Sequence, residues 1–434
     1  MAHDLNLAAL AVISACVVVW GLVSSRLERW NVSAPIAFVV LGLVATHGPV
    51  ALVHLNLHSS AIRSLAEVTL ALVLFADASR VNVHRLRADV ALPVRLLGIG
   101  LPLTIGAGAA LAAGLFSGAG LWVAAAIGAI VAPTDAALGA SVMEDERVPA
   151  QVRRVLNVES GLNDGIATPF VNLFLAGAAT AEAVRGASSA AVAARALLGG
   201  AGIGIGVGLV GALLLIQARK HRWSEPSFRP LAVLALALFA YSSAVLADTN
   251  GFVAAFVAGM AFGAACSRAG DDEPLEFSQE AGTLMSLLVW FIFGAVMLVP
   301  GLDGATWRDV VFALLALTLV RMVPVAVSLA GAGLDRSTVA FIGWFGPRGL
   351  ASVVFGLVAV DTLAPAEAKI VLAAVTVTIA LSVLLHGVTA SPLAVRYGQV
   401  AARLQLGRPE HLQAHPITTR SLQRVRKQLK GTAE

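Results

Sequence analysis

Asn157-Val158-Glu159-Ser160-Gly161-Leu162-Asn163-Asp164-Gly165 is the stretch that decides how the chain is read. It lies inside a long apolar segment, residues 156–179. A carboxylate at bilayer depth costs roughly 2.5–3.5 kcal/mol on insertion scales. Two of them, Glu159 and Asp164, stand here five residues apart. Each helical residue turns about 100°, so Glu159 stacks on Asn163 and Ser160 on Asp164. These four polar side chains cover roughly 140° of one side, with Gly161 and Gly165 on the other. Such a face points into the protein or a water-filled cavity. A polar network that only locks helices together is the plainer account. Two ionisable groups exceed what locking requires, so the pair reads as a functional site.

The surrounding composition is that of a membrane protein. Of the 434 residues 58% are hydrophobic and 13% charged, with a mean hydropathy of +0.84. Soluble domains carry about 25% charged residues. The 41 glycines suit helices that pack closely in lipid. Cys16 and Cys266 are far apart, and neither a disulfide framework nor metal-ligand spacing is visible. The first apolar run, residues 5–23, lacks a basic leader and reads as a span rather than a cleaved signal. The net charge of +4 belongs to loops and tail, not to a nucleic-acid surface.

Runs of about 17–25 apolar residues mark membrane spans. They fall near 5–24, 33–53, 64–79, 91–115, 119–141, 155–179, 190–216, 229–247, 250–267, 281–299, 307–332, 337–360 and 366–390, thirteen in all. With the C-terminus cytoplasmic and the N-terminus outside, 23 of the 30 Lys and Arg residues fall inside and five outside. That asymmetry is the positive-inside rule. Arg321 and Arg348 lie within spans. Residues 1–392 thus form the transmembrane domain and 393–434 a short cytoplasmic tail. Arg420, Arg424, Arg426, Lys427 and Lys430 suit a basic helix near the anionic leaflet, or simply a solvated tail.

Chemistry recurs inside other spans. The fifth carries Ala132-Pro133-Thr134-Asp135. Pro133 frees backbone carbonyls, Thr134 adds a hydroxyl and Asp135 adds charge, an oxygen collection that suits a monovalent cation. The twelfth carries Gly343-Trp344-Phe345-Gly346-Pro347-Arg348-Gly349, which breaks that helix too. Pro133 and Pro347 are seven spans apart, an offset that inverts the second half across the membrane. Interrupted helices in corresponding positions of inverted halves mark a transporter substrate site. Arg321, in the eleventh span, stays charged and needs a buried anion. Glu159, Asp135 and Asp164 are the candidates, and Arg348 is a rival for the acid chosen. Glu159 is preferred, because Asp164 with Ser160 makes the better oxygen site. Asp77 and Arg80 have the spacing of a local ion pair. Asp248 and Asn250 precede a run of small residues, 251–260, that reads as a packing face. His47, His54, His58 and His386 show no metal-ligand spacing and are read as incidental, with tuning of a pH response as the alternative.

Taken in order, these segments resemble the monovalent cation/proton antiporters, in their sodium/proton exchanger branch. The resemblance covers nearly the whole chain to about residue 392. Its strongest element is Glu159-Ser160-Gly161-Leu162-Asn163-Asp164-Gly165, which is similar to that branch's Glu-Ser-x-x-Asn-Asp signature. Pro133-Thr134-Asp135, Arg321, Phe345 to Gly349, Phe75 to Ala78 and Asn250 to Gly259 follow in the expected order. Two positions depart from the pattern: Gly161 and Pro347 stand where many relatives carry apolar residues. The resemblance implies thirteen helices with six-helix inverted repeats, and broken helices crossing near the bilayer midplane. It also implies a core beside a dimerisation subdomain, elevator-like alternating access and a homodimer. Asp164 would carry cation and proton in turn. Asp135, Thr134 and Ser160 would complete a Na⁺ site, Asn163 would support it, and Glu159 would pair with Arg321.

The expectation is an all-α polytopic protein of the cell membrane. It would not be an enzyme, and it would exchange Na⁺, Li⁺ or K⁺ for H⁺ without a cofactor or ATP. A K⁺-selective antiporter is the nearest alternative. An organic-anion carrier would have fewer acids at its site, a gated channel would show a repeated filter motif, and a sensor would survive loss of Asp164. Electroneutral exchange is expected. Asn163 stands where the family's electrogenic branch has a second acid, and Arg321 where that branch has a titratable lysine.

Overall fold

In lipid every backbone polar group needs an internal partner. The apolar runs therefore become helices. The computed structural model describes residues 7–28, 32–48, 51–80, 91–183, 188–269, 276–404 and 408–411. Among these the structure is helical, without strands. The helices are α1 (Leu7–Glu28), α2 (Ala34–His47), α3 (Ser60–Ser79), α4 (Ala91–Leu115) and α5 (Gly120–Val131, resuming at Ala140–Met143). After them come α6 (Ala150–Ala183), α7 (Ser188–Lys220), α8 (Arg229–Leu246) and α9 (Gly251–Arg268). The series ends with α10 (Glu276–Ile292, Phe293–Met297 and Leu298–Asp303), α11 (Trp307–Leu317 and Leu319–Ser328), α12 (Arg336–Trp344 and Leu350–Thr362) and α13 (Pro365–Ala401). Each expected apolar run holds one of them. Among the described residues eight helices are long and apolar enough to cross a membrane, and three shorter apolar segments, Ala34–His47, Gly120–Val131 and Leu350–Thr362, accompany them.

Pro133 does more than kink α5. The helix stops at Val131 and resumes only at Ala140. The twelfth helix breaks where expected, between Trp344 and Leu350. Three irregularities were not anticipated. Residues Leu96–Gly100 of α4 and Phe293–Met297 of α10 are π-helical, and α11 breaks at Thr318, with φ −109° and ψ −93°.

Small residues let the backbones approach. A methyl group at Gly259 or Gly263 of α9 would land on the α3 backbone at Phe75 or Ser79, so residues 251–260 do form a packing face. Asn250 caps α9, its Oδ1 accepting from Val253 N at 2.9 Å. Leu22, Leu198, Leu214, Leu246 and Val388 are exposed, as suits side chains against lipid. The two cysteines are free and buried.

Two polar clusters sit near helix ends. Arg63 on α3 pairs with Glu67 at 2.7 Å and with Asp361 of α12 at 3.3 Å. His58 lies 3.4 Å from Asp361, and Tyr241 donates to Glu67 at 2.9 Å. Asp77 and Arg80 form their local pair at 4.0 Å. Elsewhere α13 runs on past residue 392, with Pro392 inside it, to Ala401. Buried Glu410 accepts from Asp335 N at 2.7 Å and Thr338 Oγ1 at 3.0 Å. The expected basic helix around Arg420–Lys430 lies outside the described residues.

Candidate functional site

The breaks in α5 and α12 meet. Asp135 N donates to Pro347 O at 2.8 Å. Leu350 N, at the start of the second half of α12, donates to Asp135 Oδ2 at 2.9 Å. Asp135 Oδ1 accepts from Ala137 N at 2.6 Å and Leu138 N at 3.3 Å. An anion between two helical starts is where the backbone N–H groups and their dipoles favour it. Gly349 is required for this approach, since a Cβ there would land on the Asp135 carboxyl group. An ionised carboxylate offers about four lone-pair sites, and backbone donors take three of them. Asp135 therefore contributes charge and little free coordination.

Arg348 closes the joint from the other side. Its guanidinium donates to Ala132 O, to Pro133 O at 3.4 Å and to Ala316 O at 3.1 Å. The first two carbonyls lie where the first half of α5 ends, past the reach of its helical ladder, and the third lies beside the break of α11. Arg348 is thus engaged with carbonyls rather than with an acid. Ser352 Oγ adds a bond to Ile130 O at 2.7 Å.

The other buried arginine takes the first acid of the α6 motif. Arg321 Nη1 and Nη2 reach the two oxygens of Glu159 at 2.5 and 2.8 Å, and both side chains are 2% exposed. The fork matches the carboxylate in a bidentate pair. Gly346 leaves room for it, because a Cβ there would crowd Arg321 Nε.

One turn along, Thr134 Oγ1 lies 3.0 Å from Ser160 Oγ and accepts from Asn163 Nδ2 at 2.6 Å. Asn163 Oδ1 is buried and has no donor among the described residues. Asp164 is half-buried, and among the described residues no hydrogen-bond donor reaches its carboxylate. Its charged neighbours are Asp135 and Asp77. Gly165 faces the Phe256 ring of α9, and Gly161 faces Asp77 Cβ. The α6 motif thus presents Ser160 and Asn163 to the α5 break, Glu159 to α11, and its two glycines to neighbouring helices.

The structure brings together Pro133, Thr134, Asp135, Glu159, Ser160, Asn163, Arg321, Pro347 and Arg348, with Asp164 beside them. Among the described residues no cluster of three His, Cys, Asp or Glu has metal-holding geometry. Sequence reading missed the contribution of Ser382 and His386, which contact the α12 break. His386 is not incidental. Its four-residue spacing from Ser382 on an apolar helix was the available signal.

A sequence model of the family described as "Sodium/hydrogen exchanger, transmembrane" matches residues 12–396. The chain belongs to the sodium/hydrogen exchanger family. It is 26% identical over 365 residues to a K(+)/H(+) antiporter, NhaP, of Alkalimonas amylolytica, a match covering 82% of this chain and 60% of that one. A probable Na(+)/H(+) antiporter of Schizosaccharomyces pombe is 28% identical over 250 residues, covering 54% of this chain and 32% of its own. The chain therefore spans about 60% and about a third of these two relatives. In fold it resembles the sodium proton antiporter MjNhaP1 of Methanocaldococcus jannaschii at pH 8, with a TM-score of 0.74, 20% identity, and 90% and 98% of the two chains covered. A second structure of that antiporter matches with a TM-score of 0.73 and the same identity, over 92% of this chain and 99% of that one. Family and fold agree with the order of motifs along this sodium/hydrogen exchanger chain.

Proposed function

We propose that this chain is a secondary antiporter that exchanges a monovalent cation for protons. The observation that carries the reading is the Asp164 carboxylate: half-buried at membrane depth, with no hydrogen-bond donor among the described residues, and within charge range of Asp135. A carboxylate there costs several kcal/mol unless a cation or a proton neutralises it. Either one will do, and the two compete for one place. If only the loaded site crosses, the competition couples the two fluxes.

Both nearby arginines are committed elsewhere, Arg321 to Glu159 and Arg348 to backbone carbonyls. Neither neutralises Asp164. The three backbone donors on Asp135 argue for a fixed charge there, because hydrogen bonds donated to the ionised carboxylate favour it over the protonated form. Asp164 is then the sole proton carrier, and exchange is electroneutral, one cation per proton. Na⁺ would meet Asp164, Ser160 and Thr134, with Asp135 supplying charge and at most one further ligand.

The wider arrangement follows the same reading. Thirteen spans would put the N-terminus outside and the C-terminus in the cytoplasm of the cell membrane. The broken α5 and α12, and the irregular α4 and α11, are pairs seven helices apart, which supports inverted repeats. A core beside a dimerisation subdomain, and a homodimer, belong to the proposal. The named relatives differ in their cation, so Na⁺ and K⁺ both stand.

The test is proton flux in proteoliposomes after adding Na⁺, Li⁺ or K⁺ separately. Exchange with at least one is expected. Flux with none refutes the assignment. An imposed potential without ion gradients should drive no net cation uptake, and uptake that follows its sign would show that a second group carries a proton.

A further inference from the structure

Two side chains of α13 contact the α12 break. Trp344 ends the first half of α12, and its carbonyl, past the reach of the helical ladder, accepts from Gly346 N at 2.8 Å. His386 Nε2 lies 2.9 Å from that oxygen. Four residues further along the break, Arg348 N donates to Ser382 Oγ at 2.7 Å. Ser382 and His386 are themselves four residues apart on α13, so they stack on one face. Together they bracket the unwound residues 345–347.

The two side chains act as one unit. Ser382 Oγ lies 3.2 Å from His386 Nδ1, which is also 2.9 Å from Ser382 O. A carbonyl oxygen only accepts, so Nε2 must carry a proton to bond Trp344. The Ser382 hydroxyl accepts from Arg348 N and lies against Nδ1, which also faces the Ser382 carbonyl. Trp344 is tied to α13 twice more. Its ring stacks on His386 at 5.2 Å, and its Nε1 donates to Thr389 Oγ1 at 3.0 Å. Ser382 is fully buried and His386 is 2% exposed, so water cannot replace a lost partner.

The unwound residues and those beside them also hold the site. Pro347 O receives Asp135 N, Leu350 N reaches Asp135 Oδ2, and Arg348 holds the carbonyls before Thr134. A shift of the break shifts Asp135 and Thr134 with it. We propose that Ser382 and His386 are positioning residues for cation binding, fixing the α12 break and, through it, the Asp135 carboxylate and the Thr134 hydroxyl. The inference rests on the exchange reading above. A plain packing role would be met by any apolar side chain of similar size at 386.

Five proteins decide it: wild type, His386→Leu, His386→Gln, Ser382→Ala and the double variant His386→Leu/Ser382→Ala, each checked for a folded peak by size exclusion. Apparent KM and Vmax are measured in proteoliposomes for the cation that wild type exchanges best. His386→Leu and Ser382→Ala should each raise KM about tenfold, the effect of one lost buried hydrogen bond, with Vmax less affected. The double variant should be no worse than the worse single, because the two side chains act as one unit. His386→Gln keeps an N–H that reaches Trp344 O and should stay within about threefold of wild type. Should His386→Leu fail to fold, Ser382→Ala and His386→Gln carry the comparison. A normal KM in every folded variant, or loss of Vmax alone, overturns the positioning role while exchange stands. A wild type that exchanges no cation overturns the exchange reading and this inference with it.

Discussion

Gly349→Ala tests the joint between the two broken helices most directly. The perturbation is a single methyl group. Built on Gly349, it would occupy the space of the Asp135 side chain and meet both Cβ and Oδ2. The side chain must swing out or the two breaks must part. Swinging out forfeits the bond from Leu350 N, now 2.9 Å, and a buried bond to a charged acceptor contributes about 1.5–3 kcal/mol. Parting the breaks carries an overpacking cost of about 1–3 kcal/mol. Either response costs roughly 1–3 kcal/mol. Asp135 would also leave the cation site, so apparent cation affinity should fall at least about tenfold. Gly161→Ala is the control. It too adds one methyl, but the nearest atom is Asp77 Cβ at 3.9 Å, an ordinary contact. There the helix gains up to about 1 kcal/mol of propensity. Thermal unfolding in detergent and KM in proteoliposomes read both effects. A Gly349→Ala protein that melts and binds like wild type would refute the joint as described.

Asp164→Asn should abolish exchange yet leave melting unchanged or raised, because it removes a charge at membrane depth; substantial cation-driven proton flux in that variant would sink the carrier assignment. Glu159→Ala strands Arg321 and should cost about 3–5 kcal/mol, part of which Arg321→Ala recovers; strict additivity in a thermal-shift cycle would deny the coupling of the pair. Activity should peak with pH, and raising Na⁺ should move the acidic limb to lower pH; a limb that ignores Na⁺ would place the proton and the cation on different groups. Asp335 caps α12 by accepting from Ser337 N at 2.9 Å and Ser337 Oγ at 2.6 Å. The Ser337 bonds, with Arg408 beyond, hold its carboxyl below the usual carboxylate range. A depressed folded value means that the stabilisation is present above about pH 3.9 and fades as pH falls through the folded value. Asp335→Ala should therefore cost about 1 kcal/mol at pH 7 and less at pH 3; an equal loss at both would show that the charge is irrelevant.

The polar face of α6 and the breaks at Pro133 and Gly346-Pro347 were legible because each violates a strong local rule. Acids do not stand in lipid without cause, and proline cannot continue a hydrogen-bond ladder. The partner of Arg321 was legible by elimination among few acids. Other features carry no such local mark. Thr318 breaks α11 with neither glycine nor proline in place, and the π turns in α4 and α10 look like ordinary apolar helix in sequence. Asp135 read as a cation ligand because side-chain chemistry is visible in sequence and backbone donors are not. Three N–H groups claim it, one of them 215 residues away. His386 read as incidental for the same reason: its partner, the Trp344 carbonyl, lies 42 residues back.

That separation along the chain has a consequence during synthesis. When α5 enters the membrane, the carbonyls before Thr134 and the carboxylate of Asp135 have none of the partners that α12 will bring. Those partners are encoded about 215 residues later. At roughly 5–20 residues per second, the ribosome needs on the order of 10–40 s to deliver them. Unpaired polar backbone is costly in hydrocarbon. The nascent first half must therefore wait partly wet, guarded by the insertion machinery or by a shallow, unsettled pose. The joint that later holds the site would be the last part of the molecule to set, and a ribosome stalled before α12 would leave a chain inserted but unfinished.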